Sequence, residues 1–383
     1  AFLTLLCITA LTVIPYAQAD ANWPQFRGPD ARGIAQGDAL PTTWSTTENV
    51  TWKTDIPGRG WSSPIVWGKK VFLTTAVNLG EAVVPKKGLY WRGGALDNAS
   101  GRSSQFKVLC LDLESGKVLW ERQAFEGVPT YGAHVKKSRA SETPVTDGER
   151  VYCYFGHLGV YVYDLDGEPV WDKKIAASKT SYNWGTAASP VLHKDRLYII
   201  NDNEEDSYLL ALDKRTGKEV WRVKRDEKSS WSTPYIWKNK KRTEIVTAAS
   251  GKVRSYDLDG KVLWSLKGMS GITIATPYAA DGLLYISSGY VDDDLRYNPS
   301  TLLYDDSLYV LYDRGKFACL DPKTGMDRYE VARLPRRAGF TASPWAYGGK
   351  IFCLNEDGVT YVLKAGDTFE LLHTNTLAED DMG

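Results

Sequence analysis

Nine residues with side chains that could stack on, pair with or hydrogen-bond to a ligand stand shortly before steps from a small residue to proline. They are Arg59, Trp61, His134, Arg139, Glu142, Asn183, Trp184, Trp231 and Phe340. Aromatic walls with a few polar groups are the usual lining of a pocket for a planar or sugar-like ligand. The alternative, which we favour, is that the same residues hold loops together and cap the end of a folded structure.

A second group of chemically capable residues is acidic. Asp292, Asp293 and Asp294 form a run of carboxylates, and calcium prefers six to eight oxygen ligands. The run lacks the spacing of an EF-hand, so a solvated acidic loop is the preferred interpretation and the three residues are weak metal candidates.

The cysteines give no sign of a metal site or a disulfide framework. Cys110, Cys153, Cys319 and Cys353 are far apart in sequence, and none belongs to a C-x-x-C pair. Cys110 and Cys319 each stand two residues before a turn Asp, and we predict that these two pack as small apolar residues.

The elements that must position these residues form an internal repeat. Each copy opens with a small residue and proline, continues through alternating strands to an Asp and a Gly turn, and closes with an aromatic residue. The opening prolines are Pro64, Pro144, Pro190, Pro234, Pro277 and Pro344, and the bare copies fix a period of about 44 residues. The closing aromatics are Trp120, Trp171, Trp221, Trp264 and Tyr329, which we interpret as wedges between neighbouring copies.

Four short alternating strands in each copy of this length predict an all-β fold, a β-propeller of four-stranded antiparallel blades. The longer intervals require insertions, placed at 77–104 in the first copy and 288–307 in the fifth, so that the fifth copy extends from Pro277 to Tyr329. In a propeller the first strand of each blade lines the central channel, so the nine candidate residues would surround a shared funnel.

The ends of the chain complete the expected organisation. Residues 1–19 are apolar and finish in Ala-Gln-Ala, which is typical of a secretory signal peptide, so residues 20–383 form the propeller domain. Trp52 to Ile56 resembles an outer strand without its own blade. We predict six complete blades and part of a seventh, with the C-terminal blade truncated and an intact ring of seven blades, or eight as the alternative.

Composition excludes several classes of function. Lys plus Arg and Asp plus Glu both number 47, so no net field attracts nucleic acid or an anionic membrane. The mature chain has no expected transmembrane segment, and the leader-like start places it in the periplasm or outside the cell.

The repeats also carry a family resemblance. LDKRTGKEVW, LDLESGKVLW and LDPKTGMDRY resemble the PQQ-like, quinoprotein-type propeller repeat, and the opening NWPQFRGP resembles secreted proteins with such repeats. The family includes BamB-type outer-membrane assembly lipoproteins and quinoprotein dehydrogenases. The dehydrogenases would imply a stacked quinone, a calcium ion, an Asp base and often a vicinal Cys pair. This chain has no such pair, no residue set that matches the calcium ligands, and no lipobox cysteine.

The leading functional expectation is a non-catalytic secreted or periplasmic scaffold without a cofactor. It would bind a protein partner, or a small planar or sugar ligand, through its channel face and insertion loops. Two alternatives stay open: an oxidoreductase that uses PQQ with calcium, and a carbohydrate-binding propeller that uses Trp61, Trp184 and Trp231.

Overall fold

The computed structural model describes residues 22–37, 40–80, 96–97, 102–134, 136–289, 299–335 and 339–377, with the backbone alone for 96–97. The leader-like residues 1–19, the acidic candidates Asp292, Asp293 and Asp294, and most of the first insertion lie outside these ranges. No helix of the described residues is long and apolar enough to cross a membrane.

The first two sheets are four-stranded and antiparallel, and a separate pair of short strands joins their loops. Sheet 1 has the order β1-β2-β4-β5, sheet 2 has the order β7-β8-β9-β10, and β3 pairs with β6. The strands are β1 (Ile65–Trp67), β2 (Lys70–Asn78), β3 (Leu96–Asp97), β4 (Ser104–Asp112), β5 (Val118–Gly127), β6 (Ala133–His134), β7 (Val145–Thr146), β8 (Arg150–Phe155), β9 (Gly159–Asp164) and β10 (Pro169–Lys174).

Sheets 3 and 4 repeat the same up-and-down order, and sheet 5 has two strands among the described residues. Their strands are β11 (Val191–His193), β12 (Arg196–Asn201), β13 (Tyr208–Asp213), β14 (Glu219–Lys224), β15 (Tyr235–Lys238), β16 (Thr243–Ala249), β17 (Lys252–Tyr256), β18 (Val262–Lys267), β19 (Tyr278–Ala280) and β20 (Leu283–Tyr285).

Sheets 6 and 7 are again four-stranded. Their strands are β21 (Leu302–Tyr304), β22 (Ser307–Leu311), β23 (Lys316–Leu320), β24 (Ala332–Arg333), β25 (Trp345–Tyr347), β26 (Lys350–Leu354), β27 (Val359–Lys364) and β28 (Leu371–Thr376). The only helical elements of the described residues are two single 3-10 turns, Pro29–Ala31 and Ser181–Asn183.

The sheets surround one axis as the blades of a propeller. The innermost strands of sheets 1 to 5 lie side by side in chain order, as do those of sheets 6 and 7. The backbone N–H of Thr276 donates to Ser300 Oγ and joins sheet 5 to sheet 6. At the axis, residues 23–35 (the axial segment) bridge Val66 of sheet 1 and Ala346 of sheet 7. The all-β propeller predicted from the repeat is therefore confirmed, and the described residues form six four-stranded sheets and one sheet, the fifth, with two strands.

The division of the fifth copy was wrong. The stretch from Pro277 to Tyr329 contains two sheets, because β19 and β20 form sheet 5 and a new innermost strand begins at Leu302. The incomplete sheet is thus the fifth in the chain, inside the series.

Three of the four closing tryptophans join consecutive sheets, as predicted, whereas Trp264 donates to Glu244 of its own sheet. The indole N–H groups of Trp120, Trp171 and Trp221 donate to the carbonyls of Leu165, Lys214 and Leu258, which lie in hairpin turns of the following sheet. Residues 51–56 form no strand, but Trp52 donates in the same way to Leu113 O of sheet 1. Each ring also covers the glycine of the turn that it reaches.

The four cysteines of the described residues lie in the sheets, as predicted for Cys110 and Cys319. All four are free and buried. Burial raises the pKa of the Cys110 thiol to about 12, so it stays protonated and unreactive near neutral pH.

Candidate binding surface on the upper face

The end of the sheets where the chain enters each innermost strand is called the upper face here. Backbone N–H groups on this face donate to Ser or Thr hydroxyls of the next sheet at 2.9 to 3.0 Å. The pairs are Ser63 to Thr143, Thr143 to Ser189, Ser189 to Thr233, Thr276 to Ser300, and Ser300 to Ser343. This chain of hydroxyls explains the small residue before each proline, and it fixes the loops that carry the candidate residues.

Residues 132–134 and 136–141, the crossing segment, run over the upper face. Ser138 Oγ accepts a hydrogen bond from the backbone N–H of Trp61 at 3.0 Å, which connects the segment to the loop before sheet 1. The ammonium of Lys136 forms an ion pair with Glu356 of sheet 7 at 2.5 Å, and both side chains are largely buried. The segment therefore connects loops of the first and last sheets.

The axial segment lies at the centre of the ring, against the innermost strands. Arg27 donates from Nη2 to Thr301 O at 2.9 Å and from Nε to Ala31 O at 3.0 Å, while its guanidinium lies over the Tyr278 ring. Burial lowers the pKa of Arg27 to about 10. The chain's own residues thus occupy space that the sequence analysis assigned to an open funnel.

Aromatic side chains form a ridge beside the crossing segment. Trp184 lies 4.9 Å from Tyr182 and 5.7 Å from Trp231, and it meets His134 edge-on at 5.4 Å between ring centroids. Tyr182 is 60% exposed, whereas Trp231 is 7% exposed and donates from its indole N–H to Gly185 O. Trp61 is also exposed, at 58%. The ridge is therefore supported from below and presents Tyr182 to solvent.

The loop that carries the ridge has an unusual backbone. Tyr182 and Asn183 have φ values of 53° and 58°, a left-handed conformation that is uncommon for a bulky aromatic residue. The Thr180 hydroxyl accepts a hydrogen bond from the N–H of Gly185 at 2.8 Å and closes the loop. Such strained residues concentrate at functional sites.

Beneath the ridge lies a group of buried polar side chains. Glu142 accepts a hydrogen bond from the Thr186 hydroxyl at 2.6 Å, whereas Lys137 Nζ, both ring nitrogens of His157 and Asn183 Oδ1 have no hydrogen-bond partner among the described residues. Burial lowers the pKa of Lys137 to about 8 and that of His157 to about 3, and it raises the pKa of Glu142. The nearby charges of Lys137 and Arg139 also disfavour protonated His157.

The structure brings most of the nine predicted residues to this face but gives them different environments. His134, Asn183, Trp184 and Trp231 belong to the ridge, and Arg139 donates to Tyr131 O. Arg59 pairs its backbone with Ala76 at the edge of β2. Phe340 is fully buried, with its ring 5.9 Å from that of Tyr361, and Glu142 is 2% exposed. Phe340 therefore belongs to the core and not to a funnel surface.

Sequence reasoning missed four participants: Tyr182, Lys137, His157 and the Lys136–Glu356 ion pair. Tyr182 adjoins two selected residues, so its position alone could have included it. The ion pair joins residues 220 positions apart, and no local pattern indicates it.

The residues on the upper face do not fit a quinone with calcium. Glu142 is the buried carboxylate of this cluster, and its neighbours are the Lys137 ammonium and the Thr186 hydroxyl. Calcium needs six to eight oxygen ligands, and no group of three His, Cys, Asp or Glu side chains suited to a metal occurs in the part of the chain that the structure describes. No chemical step of this protein is therefore assigned to a quinone with calcium.

A cavity of about 270 Å³ lies away from the ridge, on sheet 6. Its lining is formed by Tyr312, Lys316, Val331, Ala332 and Arg333. None of the nine predicted residues takes part in it.

Comparison with known proteins gives one family and several structural relatives. A family model described as "Outer membrane protein assembly factor BamB" matches residues 34–205 and 205–297. The protein of that name from Nitrosomonas eutropha is 27% identical over 121 residues, which are 32% of this chain and 26% of the relative. This match therefore spans about a quarter of the relative's length.

Solved structures of similar fold include two dehydrogenases. A europium-containing methanol dehydrogenase aligns with a TM-score of 0.56 at 12% identity and covers 90% of this chain and 89% of its own. A quinohemoprotein alcohol dehydrogenase from Pseudomonas putida HK5 aligns with a TM-score of 0.58 at 12% identity. The alignment covers 92% of this chain and 72% of the dehydrogenase. At this identity the likeness establishes the fold and carries no activity to this chain.

Proposed function

Because the chain belongs to the family described as outer membrane protein assembly factor BamB, we propose that it is a non-catalytic scaffold that holds a protein partner on its upper face. The observation that carries the proposal is the pair of exposed aromatic side chains, Tyr182 and Trp61, on the upper face of the ring. The partner would belong to an outer-membrane assembly machinery, and the leader-like residues 1–19 support action in the periplasm or outside the cell.

Physical arguments support a protein rather than a small ligand. Large aromatic side chains contribute most of the binding energy at protein interfaces when they are presented on a fixed surface. Tyr182 is fixed by the strained loop and by its contact with Trp184, and the N–H of Trp61 is anchored to Ser138. Little rotational freedom would be lost when a partner covers them.

The two alternative functions receive less support. The carbohydrate hypothesis used Trp61, Trp184 and Trp231 together, but Trp231 is buried and could not stack on a sugar. The quinone hypothesis lacks the oxygen ligands described above. Both have direct tests: quenching of tryptophan fluorescence by oligosaccharides, and dye-linked dehydrogenase activity after incubation with PQQ and calcium.

The proposal is tested by removing the exposed aromatic surface without changing the fold. We expect the double variant Trp61→Ser/Tyr182→Ser, purified from periplasmic extracts after mild cross-linking, to lose its assembly-machinery partner by about tenfold or more. The matched control Leu119→Ser/Val220→Ser removes two exposed apolar side chains from outer strands and should retain the partner. Equal recovery of the partner with both double variants would refute the proposal, as would quinone-dependent activity of the wild-type protein.

A further inference from the structure

Sheet 5 leaves a space between sheets 4 and 6 that the other sheets fill with their third and fourth strands. Among the described residues it contains only β19 and β20. The second strands of the other sheets are mostly buried, because a third strand covers their outer edge. In β20, by contrast, Leu283 is 44% exposed and Leu284 and Tyr285 are partly exposed. No strand of the described residues therefore pairs with the outer edge of β20.

On one side, sheet 4 forms the wall of this space, and Trp264 lies on that wall. Four other tryptophans, at positions 52, 120, 171 and 221, donate their indole N–H to a turn carbonyl of another sheet. Trp264 has no such turn to reach in sheet 5, and it donates instead to the Glu244 carboxylate of its own sheet at 2.7 Å. Leu266, two residues further along the same strand, is 59% exposed.

The opposite wall, on sheet 6, lacks the complementary partner. The turn from Asp321 to Gly325 has the same hydrogen bonds from Thr to Asp as the turn from Asp213 to Gly217. A Cβ placed on Gly217 would lie 2.6 Å from the Trp171 ring, whereas a Cβ on Gly325 would have no atom within 4 Å. The turn of sheet 6 is thus not covered by a tryptophan, and the adjacent Met326 is 70% exposed.

Backbone groups at the edge of β20 are placed to continue the sheet. Asp281 and Gly282 have φ values of 51° and 80° and form a two-residue hairpin turn, so Ala280 and Leu283 are the hydrogen-bonded pair that closes it. In antiparallel pairs the hydrogen-bonded positions alternate, so the N–H and C=O of Leu284 point to the outer edge of β20, with which no described strand pairs. Unpaired edges of this kind accept an added strand.

We propose that this space between sheets 4 and 6 binds a β-hairpin of a partner polypeptide, which pairs with β20 and completes the fifth blade. The hairpin that fits has alternating apolar residues, a turn carbonyl within reach of Trp264, and an aromatic residue on its outer strand that covers Gly325. In the other sheets, the third and fourth strands of the same chain provide these features. Exposed carboxylates in the neighbouring turns, Asp281, Asp305 and Asp306, favour a hairpin with a basic turn. This site goes beyond the proposed partner on the upper face and does not depend on it.

A peptide from the chain itself serves as the probe. The segment Tyr208–Lys224 forms the β13–β14 hairpin of sheet 3, with a basic turn and Trp221 on its outer strand. We expect a labelled peptide of this sequence to bind the full-length protein, as measured by fluorescence anisotropy. Binding should weaken about tenfold or more in Leu284→Pro, which removes the outward N–H, and in Leu283→Lys, which places a charge at the edge. The control Val118→Lys alters a strand residue of similar exposure in sheet 1 and should bind like the wild type.

Hydrogen exchange and sedimentation separate the remaining outcomes. The Leu284 amide should exchange rapidly in the free protein and slowly in the complex. Slow exchange in the free protein would overturn the proposal, because the chain's own residues would then cover the edge. Self-association that Leu283→Lys abolishes would also overturn it in favour of a second copy, as would equal peptide binding by all variants. The Trp61→Ser/Tyr182→Ser variant should bind the peptide normally, which distinguishes failure of this site from failure of the proposed function.

Discussion

His157 is one of the buried polar residues of the upper face that have no hydrogen-bond partner among the described residues. Its ring lies 6.2 Å from the Tyr131 ring, and neither nitrogen has a hydrogen-bond partner among the described residues. Burial and the charges of Lys137 and Arg139 hold the pKa of His157 at about 3, well below the ordinary value of 6.5. Acidification must therefore place a proton on a group that the fold keeps neutral.

This predicts a specific pH dependence of stability. Between about pH 3 and 6.5 the unfolded chain binds more protons at residue 157 than the folded chain does, so His157 makes the free energy of unfolding rise with pH. The expected contribution is up to about 1.4 kcal/mol per pH unit. In urea unfolding from pH 4 to 7, His157→Gln should show a flatter profile than the wild type. The control is His373→Gln, on a partly exposed residue of β28; if both variants keep the wild-type slope, the assignment fails.

At the scale of single elements, the repeated hairpin is stabilised by contact between a turn glycine and a tryptophan of the preceding sheet. Gly217 and Gly325 have nearly equal φ values of 70° and 72° in turns of the same type. They differ in what covers them: Trp171 lies against Gly217, and nothing lies against Gly325. The two positions thus separate backbone strain from steric contact.

We therefore expect Gly217→Ala to destabilise the protein more than Gly325→Ala. Both substitutions incur about 1 kcal/mol of left-handed backbone strain, and only the first forces a methyl group into the Trp171 ring, which adds about 1 to 3 kcal/mol. Urea unfolding monitored by circular dichroism measures the difference. Equal destabilisation by the two substitutions would show that the ring contact contributes nothing.

The same elements show how far the sequence could be interpreted. The turn from Asp213 to Gly217 and its closing Trp221 repeat in sequence, so the propeller and the contacts between its sheets were predictable. Sheet 6 was missed because Thr301 stands where the other innermost strands begin with proline. The hydroxyl of Ser300 nevertheless continues the chain of hydrogen bonds to Ser343. The structural requirement is the hydroxyl, which a search for prolines cannot detect.

The site was less predictable than the fold, for a physical reason. Most of the side chains before the strand openings lie on one face, but their exposure depends on residues distant in sequence. The crossing segment reaches Glu356 through Lys136, and the axial segment reaches Thr301 through Arg27. Neither contact leaves a local pattern, so the sequence did not indicate that these two segments cross the centre and the upper face.

At the scale of the whole molecule, the upper face is a surface whose loops are linked from sheet to sheet. Hydroxyl bonds link its loops from sheet to sheet, and the ion pair between Lys136 and Glu356 holds the crossing segment in place. What remains available to a partner is the periphery of this face, with Tyr182 and Trp61. A surface of this kind suits a scaffold, because it presents fixed aromatic side chains without enclosing a substrate.

Photo-cross-linking in cells tests this account most directly. A benzoylphenylalanine placed at Tyr182 should yield one discrete adduct with an outer-membrane assembly protein, identified by mass spectrometry. The same probe at Lys240, an exposed residue in the hairpin turn between β15 and β16 on the opposite face, should yield none. Equal adducts from both positions, or none from Tyr182 while the purified protein oxidises alcohols with PQQ and calcium, would contradict the account.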